Sequence, residues 1–220
     1  MLIAGIDEAG RGCVIGPLVV AGVLMRDENL KILASLGVKD SKLLSPKKRE
    51  AIALEIVRAT ESYRILKISP SEIDHAVKSG RRLHKLNRLE AQTMTQIIDI
   101  LKPDVAYVDA ADVLEDRFKY HIQEGLSCKT RIISEHKADR VYPIVSAASI
   151  LAKVERDKEI AALKCQYGDF GSGYLADDKT TNFLNQWMCS NSEYPDCVRK
   201  SWKPARKAKS SAGVIQKKLA

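Results

Sequence analysis

LIAGIDE, residues 2–8, is the stretch that decides the fold: it is an almost continuous apolar run that ends in the carboxylates Asp7 and Glu8. The run VAYVD, residues 105–109, ends in the same way at Asp109. Short apolar runs of this kind are typical of strands buried on both faces of the sheet in an α/β domain. Sites in such sheets gather at the carboxyl ends of strands, so we expect Asp7 and Asp109 to converge if the two strands are neighbours.

Strand and helix patterns alternate along the rest of the chain. Ser45-Pro46 and Ser69-Pro70 each offer a capping hydroxyl followed by a proline, which is a typical helix start. Further strands are predicted at residues 18–25, 63–68 and 131–134, and further helices near residues 83–101, 113–122 and 144–164 and after Asp178. The alternation predicts an α/β domain with about five strands, which is near the average for a sheet.

The net charge of +8 is concentrated at the carboxyl-terminal end. Eight basic residues and no acidic ones lie between Arg199 and Ala220, and the rest of the chain carries 28 residues of each sign. A polyanion such as a nucleic acid is one partner for such a segment, because each neutralised phosphate releases counterions. A solvated basic tail explains the charge equally well.

Apolar runs and cysteines indicate the class of protein. No apolar run reaches the ~18 residues of a membrane span, and the amino-terminal run meets an acid at Asp7, unlike a signal peptide. The five cysteines are odd in number and scattered, without zinc-ligand spacing. We therefore expect a cytoplasmic chain with reduced thiols, and a monomer, since nothing demands a partner subunit.

Not every carboxylate near these strand ends points to chemistry. Asp112 precedes a predicted helix, where an N-cap explains it fully, and Asp104 follows a proline in a turn. Glu8 should face away from Asp7, because neighbouring strand residues alternate, unless the chain bends just after it.

Two carboxylates held a few Å apart repel each other and raise a pKa unless cations share them. A converging pair therefore suits acid–base chemistry or Mg²⁺ binding.

The sequence Gly10-Arg11-Gly12 follows the first carboxylates directly. Two glycines around a basic residue allow a tight loop whose backbone can approach a ligand and offer N–H groups to an oxygen. The pattern alone is weakly specific. Its place after a strand that ends in carboxylates favours a clamp on a sugar-phosphate backbone.

Seven blocks of residues, in this order, together resemble type 2 ribonuclease H, ribonuclease HII, in an archaeal-like form. They are Asp7–Gly12 with Ile15-Gly16-Pro17, Asp40-Ser41-Lys42, Tyr107-Val108-Asp109, His136–Asp139, Ser146–Val154, Arg156-Asp157 and Gly171–Tyr174. The resemblance implies an RNase H-like fold, a mixed sheet of about five strands flanked by helices, with a helical carboxyl-terminal extension. We expect a catalytic domain over residues 1–170, the extension over 171–203 and a basic tail over 204–220.

The resemblance also implies an activity and its metal ligands. The family hydrolyses the RNA strand of RNA–DNA hybrids and cuts 5′ of ribonucleotides embedded in duplex DNA, and the products should carry 3′-hydroxyl and 5′-phosphate ends. Its four acidic ligands fall on Asp7, Glu8, Asp109 and Asp139, which selects Asp109 over its acidic neighbours. They would hold Mg²⁺ or Mn²⁺, as two ions about 3.5 to 4 Å apart that stabilise the attacking and leaving oxygens.

Substrate-binding residues are implied in the same way. The loop of Gly10, Arg11 and Gly12 and the hydroxyl of Tyr174 would recognise the ribose 2′-hydroxyl, the group by which proteins distinguish RNA from DNA. Lys42 would meet a backbone phosphate. Three further residues would touch the DNA strand or support their helix: Ser146, Ser149 and Lys153. His136 would support its loop, and Cys13 stands where many relatives have proline.

Two rival functions and one partner stay open at this stage. The same carboxylate-lined fold serves DNA nucleases and junction resolvases, and a non-catalytic hybrid-binding protein driven by the tail is the other rival. The end of the chain, residues 214–220, resembles the first part of a sliding-clamp motif through Gln216 and Leu219, but the aromatic pair that should follow is missing. A solvated basic end explains this segment as well.

Overall fold

The computed structural model describes residues 1–38, 44–79 and 85–210. The strands are β1 (Leu2–Ala9), β2 (Leu18–Arg26), β3 (Ser62–Ile68), β4 (Val105–Asp109) and β5 (Arg131–Glu135). The helices are α1 (Leu30–Ser35), α2 (Pro46–Ala59), α3 (Pro70–Lys78), α4 (Lys85–Leu101), α5 (Glu115–Gln123), α6 (Ala138–Val141), α7 (Pro143–Tyr167) and α8 (Asp178–Ser190). A further helix covers residues 203–210. The five predicted strands are confirmed, whereas α1, α6 and the helix at residues 203–210 were not predicted from the sequence. The expected tail is therefore helical in its first part, and Ala205 is buried.

Within the described ranges, the strands form one mixed sheet in the order β3-β2-β1-β4-β5. Strand β1 pairs antiparallel with β2 and parallel with β4, and β4 pairs parallel with β5. The parallel register joins Ile3 to Val105 and Ile6 to Val108. One step further along both strands, Asp7 and Asp109 stand at the same level. The predicted mixed α/β sheet is therefore confirmed, with the two carboxylate-ending strands side by side.

Two helix starts follow from their capping residues as predicted. Ser45 accepts a hydrogen bond from the Lys48 backbone N–H at the start of α2, and a proline follows it. Ser69 forms a full capping box with Glu72 at the start of α3. Both caps satisfy N–H groups that have no partner within the first turn.

The chain divides into two compact units. The first comprises Met1–Ala9, Val19–Lys67 and Leu83–Glu155, and the second comprises Gly10–Leu18, Ile68–Arg82 and Arg156–Ala220. The domain boundaries predicted after residues 170 and 203 stay predictions. Among the described residues, no helix has both the length and the apolar character of a membrane span.

The core of the first unit packs the sheet against the beginning of α7. Gly5 in β1 marks the closest approach, since a Cβ built there would lie 2.3 Å from the backbone carbon and oxygen of Ile144. Buried apolar residues of β1, β2 and α7 surround this contact, among them Ile3, Val23 and Ala148. The absence of a side chain at Gly5 therefore lets α7 lie directly on β1.

The second unit has a separate apolar core. It is formed by buried side chains that include Val14, Ile15, Ile160, Phe170, Leu184, Met188, Tyr194 and Val198. An isolated β-bridge joins Ile15 to Val198. Buried Asp74 of α3 accepts hydrogen bonds from the Lys200 and Ser201 backbone N–H groups at 2.7 and 2.8 Å. This carboxylate ties α3 to the segment before the last described helix.

Candidate active site

The structure brings Asp7 and Asp109 together at the carboxyl ends of β1 and β4. Asp7 is 4% exposed. Burial, and then the charge of Asp109, raise the pKa of Asp7 to about 7. Burial disfavours the ionised form, and a second carboxylate nearby disfavours it further. The convergence that strand logic predicted is therefore present, and it costs free energy whenever both groups are ionised.

Side chains of α7 oppose this penalty. A hydrogen bond with the Ser149 side chain and the charge of Lys153 lower the pKa of Asp7, as does the Glu8 backbone N–H, which donates to Asp7 Oδ1 at 2.7 Å. The Lys153 ammonium also donates to the Ser149 hydroxyl. Ser149 is fully buried. The sequence left open a contact with DNA or support of the helix for Ser149 and Lys153, and the contacts seen in the structure are with Asp7 and with each other.

Asp139 lies in the short helix α6 and is 5% exposed. The Ser146 hydroxyl, itself buried, donates to the Asp139 backbone carbonyl and so fixes the turn between α6 and α7. The residue before it, Ala138, donates its N–H to Asp109 Oδ1 at 2.9 Å. The start of α6 is thus attached directly to the Asp109 carboxylate, and Ser146 supports the segment that carries Asp139.

Glu8 stays within the regular register of β1, opposite Val20. Alternation along a strand therefore places its Cβ on the other face from that of Asp7. The Oε2 atom of Glu8 and the Oδ1 atom of Asp139 are buried and accept no hydrogen bond, although both residues make other interactions. Across residues 1–38, 44–79 and 85–210, no three Asp, Glu, His or Cys side chains are grouped closely enough to form a metal site as they stand.

The competing carboxylates have structural roles, but the prediction of Asp112 as a helix N-cap was wrong, because α5 begins after Leu114 and has no side-chain cap. Asp112 accepts a hydrogen bond from the Leu114 backbone N–H at 3.1 Å and pairs with the Arg117 guanidinium. The hydrogen bond from Arg117 holds the pKa of Asp112 well below its usual range. Asp104 accepts the Leu2 backbone N–H at 2.8 Å. Both carboxylates fasten loops next to β4.

The loop after β1 belongs to the second unit and is held by Arg199. The Arg199 guanidinium donates to the carbonyl oxygens of Gly10 at 2.7 Å, Arg11 at 2.8 Å and Gly16 at 3.1 Å, and to the Cys13 sulfur at 3.0 Å. Gly10 has a φ of +86°, and a Cβ there would lie 2.7 Å from the Pro17 carbonyl oxygen. A glycine is therefore required at this position for both its backbone conformation and its space.

Tyr174 lies against the same loop within the second unit. Its ring carbon Cε1 is 4.0 Å from the Cβ position of Gly12, and the Arg156 guanidinium lies 4.6 Å from its ring centroid. Burial raises the pKa of Tyr174, while the charges of Arg156 and Arg199 and a backbone hydrogen bond from Gly10 oppose that rise. The structure thus brings together the glycine loop and the tyrosine that the resemblance linked.

Sequence reasoning missed both arginines of this arrangement. Arg199 was counted with the exposed basic tail, but it is fully buried, so that interpretation was wrong for this residue. The apolar sequence just before it, Cys197-Val198, was the available signal of burial. Arg156 was part of a matching block without a role; it is 6% exposed and donates to the Ser172 carbonyl at 2.8 Å.

Three predicted binding residues lie outside the described residues: Lys42, Gln216 and Leu219. His136 has its Nε2 atom 3.2 Å from the Val113 carbonyl oxygen, and its backbone N–H donates to Glu115 at 2.6 Å. These contacts fit the predicted support of the loop between β5 and α6.

Comparisons with known proteins agree on one family. The family model described as Ribonuclease HII matches residues 4–205. Ribonuclease HII of Pyrococcus furiosus is 47% identical over 221 residues, which cover 100% of this chain and 96% of that protein. The crystal structure of the ribonuclease H2 from Pyrococcus horikoshii OT3 has a TM-score of 0.89 at 43% identity, covering 97% of this chain and 99% of that one. A chain in the PCNA:RNase HII complex from Archaeoglobus fulgidus has a TM-score of 0.84 at 46% identity, covering 92% and 96%.

Proposed function

This chain belongs to the ribonuclease HII family, and on that premise we propose that its cleavage site is formed by Asp7, Glu8, Asp109 and Asp139. There the enzyme hydrolyses the RNA strand of RNA–DNA hybrids and cuts 5′ of ribonucleotides embedded in duplex DNA. The observation that carries the proposal is the pair of buried Asp7 and half-buried Asp109 at the ends of neighbouring strands. A pair whose ionisation is costly in the protein alone suits a site that binds divalent cations.

The donor set fits Mg²⁺ or Mn²⁺. Carboxylate oxygens are the ligands these hard ions prefer, and the ions keep open positions for water and for phosphate oxygens. Two bound ions would lower the pKa of a water and neutralise charge on the scissile phosphate. Asp7, Glu8, Asp109 and Asp139 would hold these ions through their carboxylate oxygens.

The residues around the pair prepare it for this role. Ser149 and Lys153 stabilise ionised Asp7, and the Ala138 N–H fixes one oxygen of Asp109 so that the other can face the substrate. Ser146 fixes the segment of Asp139. The α7 side chains Ser146, Ser149 and Lys153 thus support the carboxylates, and Lys153 is also proposed to contact the DNA strand.

Ribose recognition belongs to the second unit. Gly10, Arg11, Gly12 and Tyr174 lie together, and a tyrosine hydroxyl beside backbone N–H groups can both donate to and accept from a 2′-hydroxyl. Lys42 is proposed to contact a backbone phosphate.

The decisive experiment compares two duplexes that differ by one 2′-hydroxyl. With Mg²⁺ or Mn²⁺, the purified protein should cut the duplex with one ribonucleotide on its 5′ side, leaving a 3′-hydroxyl, and should spare the all-DNA duplex. Equal cutting of both would favour a DNA nuclease or resolvase. Binding without cutting in either metal would favour a non-catalytic hybrid-binding protein.

A pair of variants tests the carboxylate assignment. Asp109→Asn should retain hybrid binding while cleavage falls by orders of magnitude, because one oxygen ligand is replaced by an amide. Asp104→Asn is the matched control, since Asp104 is an exposed carboxylate that accepts the Leu2 N–H at the other end of β4. Near-normal cleavage by Asp109→Asn would remove the assignment.

The partner proposal concerns the end of the chain. A ribonuclease HII from Archaeoglobus fulgidus, similar to this chain, has been solved in complex with PCNA. We propose that residues 212–220, with Gln216 and Leu219 as anchors, bind a sliding clamp. Removing these residues should weaken clamp binding measured by calorimetry and leave cleavage of a short duplex unchanged; equal affinity would contradict the proposal.

A further inference from the structure

The Arg199 side chain binds the backbone carbonyl groups of the loop at residues 10–16. Arg199 is fully buried, and its guanidinium donates to the carbonyl oxygens of Gly10, Arg11 and Gly16. Its Nε also donates to Gly16 at 3.2 Å. The planar fork of an arginine can serve several acceptors at fixed angles, which the single nitrogen of a lysine cannot do. The path of this loop therefore depends on the Arg199 fork.

The direction of the carbonyls fixes the direction of the N–H groups. In a planar trans peptide, the C=O of one residue and the N–H of the next point in opposite directions, and none of the described peptide bonds is cis. Because the Gly10 and Arg11 carbonyls both face Arg199, the N–H groups of Arg11 and Gly12 both face away from it. Two successive N–H groups on one side form a concavity that accepts an oxygen.

Arg156 and Tyr174 also contact this loop. A Cβ at Gly10 would lie 2.8 Å from Arg156 Nε, and Arg156 in turn lies against the Tyr174 ring. The Arg199 charge also acts on Tyr174, where it opposes the rise in pKa caused by burial. Arg199 thus influences both parts of the proposed ribose reader without belonging to either.

We infer that Arg199 is the positioning residue for ribose recognition: by binding the Gly10 and Arg11 carbonyls, it turns the Arg11 and Gly12 N–H groups toward the 2′-hydroxyl of the substrate. This role rests on the proposed function, since it assumes that the loop reads ribose. It separates recognition from cleavage, because the carboxylates belong to the first unit and Arg199 to the second.

The test measures ribose preference rather than rate alone. Arg199→Lys keeps the positive charge and removes the fork. The KM for a duplex with one ribonucleotide should rise about tenfold, the equivalent of one or two lost hydrogen bonds, while the inhibition constant of the matched all-DNA duplex should change by less than about twofold. Arg58→Lys, an exposed arginine of α2, is the control and should match the wild type.

Four outcomes are distinguishable. A folded Arg199→Lys whose two constants both stay at the wild-type level overturns the inference. So does an equal rise in both constants, because that result indicates a contact to phosphate or a general loss of structure. If thermal melting shows that Arg199→Lys does not fold, Cys13→Ala replaces it, since it removes the contacts of the Cys13 sulfur with the Arg199 guanidinium and with the Gly10 carbonyl. A two- to threefold loss of ribose preference is then expected, and no loss overturns the inference. If the wild type itself shows no ribose preference, the proposed function fails, and the inference with it.

Discussion

The Asp7–Asp109 pair predicts an unusual dependence of stability on pH in the presence of EDTA. The pKa of Asp7 is about 7 in the folded chain, against an ordinary value of 3.8. Between about pH 4 and pH 7 the folded chain therefore binds more protons than the unfolded chain, so this residue lowers the free energy of unfolding as the pH rises. The difference in pKa corresponds to about 4 kcal/mol above this window, because one pKa unit represents 1.36 kcal/mol.

Asp7→Asn removes the ionisable group and should remove this fall. Near pH 4 the variant and the wild type should unfold at similar urea concentrations, whereas near pH 8 the variant should be more stable by up to about 4 kcal/mol. Saturating Mg²⁺ should restore the wild type by binding the folded state, by about 2.7 kcal/mol at a hundred times the dissociation constant, and should do little for the variant. Circular dichroism at fixed pH values follows each transition.

The control and the contradicting result are both direct. Asp104→Asn removes an exposed carboxylate near the other end of β4 and should follow the wild-type curve. If Asp7→Asn and the wild type keep a constant difference in stability from pH 4 to pH 8 in EDTA, burial and the Asp109 charge do not raise the pKa of Asp7, and the metal-site argument loses its basis.

Three further changes test separate parts of the structure. Gly5→Ala should lower the free energy of unfolding by about 3 kcal/mol or more in urea titration, because its Cβ would meet backbone at 2.3 Å; an unchanged midpoint would contradict the close packing. Asp74→Ala should cost about 2 to 3 kcal/mol, because two backbone N–H groups lose their acceptor, and faster proteolysis after residue 198 should accompany it. Arg117→Ala should weaken the protein mainly above pH 4, because the low pKa of Asp112 contributes stability that is present above the unfolded pKa and lost on acidification; equal loss at pH 2 and pH 7 would refute this.

The sheet and the Asp7–Asp109 pair could be predicted from the sequence because both depend on local patterns. The apolar runs of β1 and β4 predicted buried strands, and the common edge of parallel neighbours then placed Asp7 beside Asp109. The Ser-Pro pairs predicted helix starts for a similarly local reason. Asp139 had no such pattern, because it lies in a short helix whose position depends on the contact of Ala138 with Asp109. Only the resemblance identified it.

Arg199 shows why the remainder could not be predicted. Its burial depends on carbonyl groups that lie more than 180 residues earlier in the chain, and no periodicity connects the two segments. In the sequence it is one of eight basic residues near the end, where a solvated side chain is the ordinary expectation. An arginine that follows an apolar pair is more readily buried than one that lies in a polar tail.

Gly5 has a consequence for how tolerant the carboxylate site is to substitution. The distance between β1 and α7 is set at Gly5 by a hydrogen atom, and the same two elements carry Asp7, Ser149 and Lys153. The size of the residue at position 5 therefore determines how closely Lys153 of α7 can approach Asp7 of β1. A larger residue there would push the helix outward and alter the electrostatics of a site it never touches, so a mutational scan scored on folding alone would misread the position as purely structural.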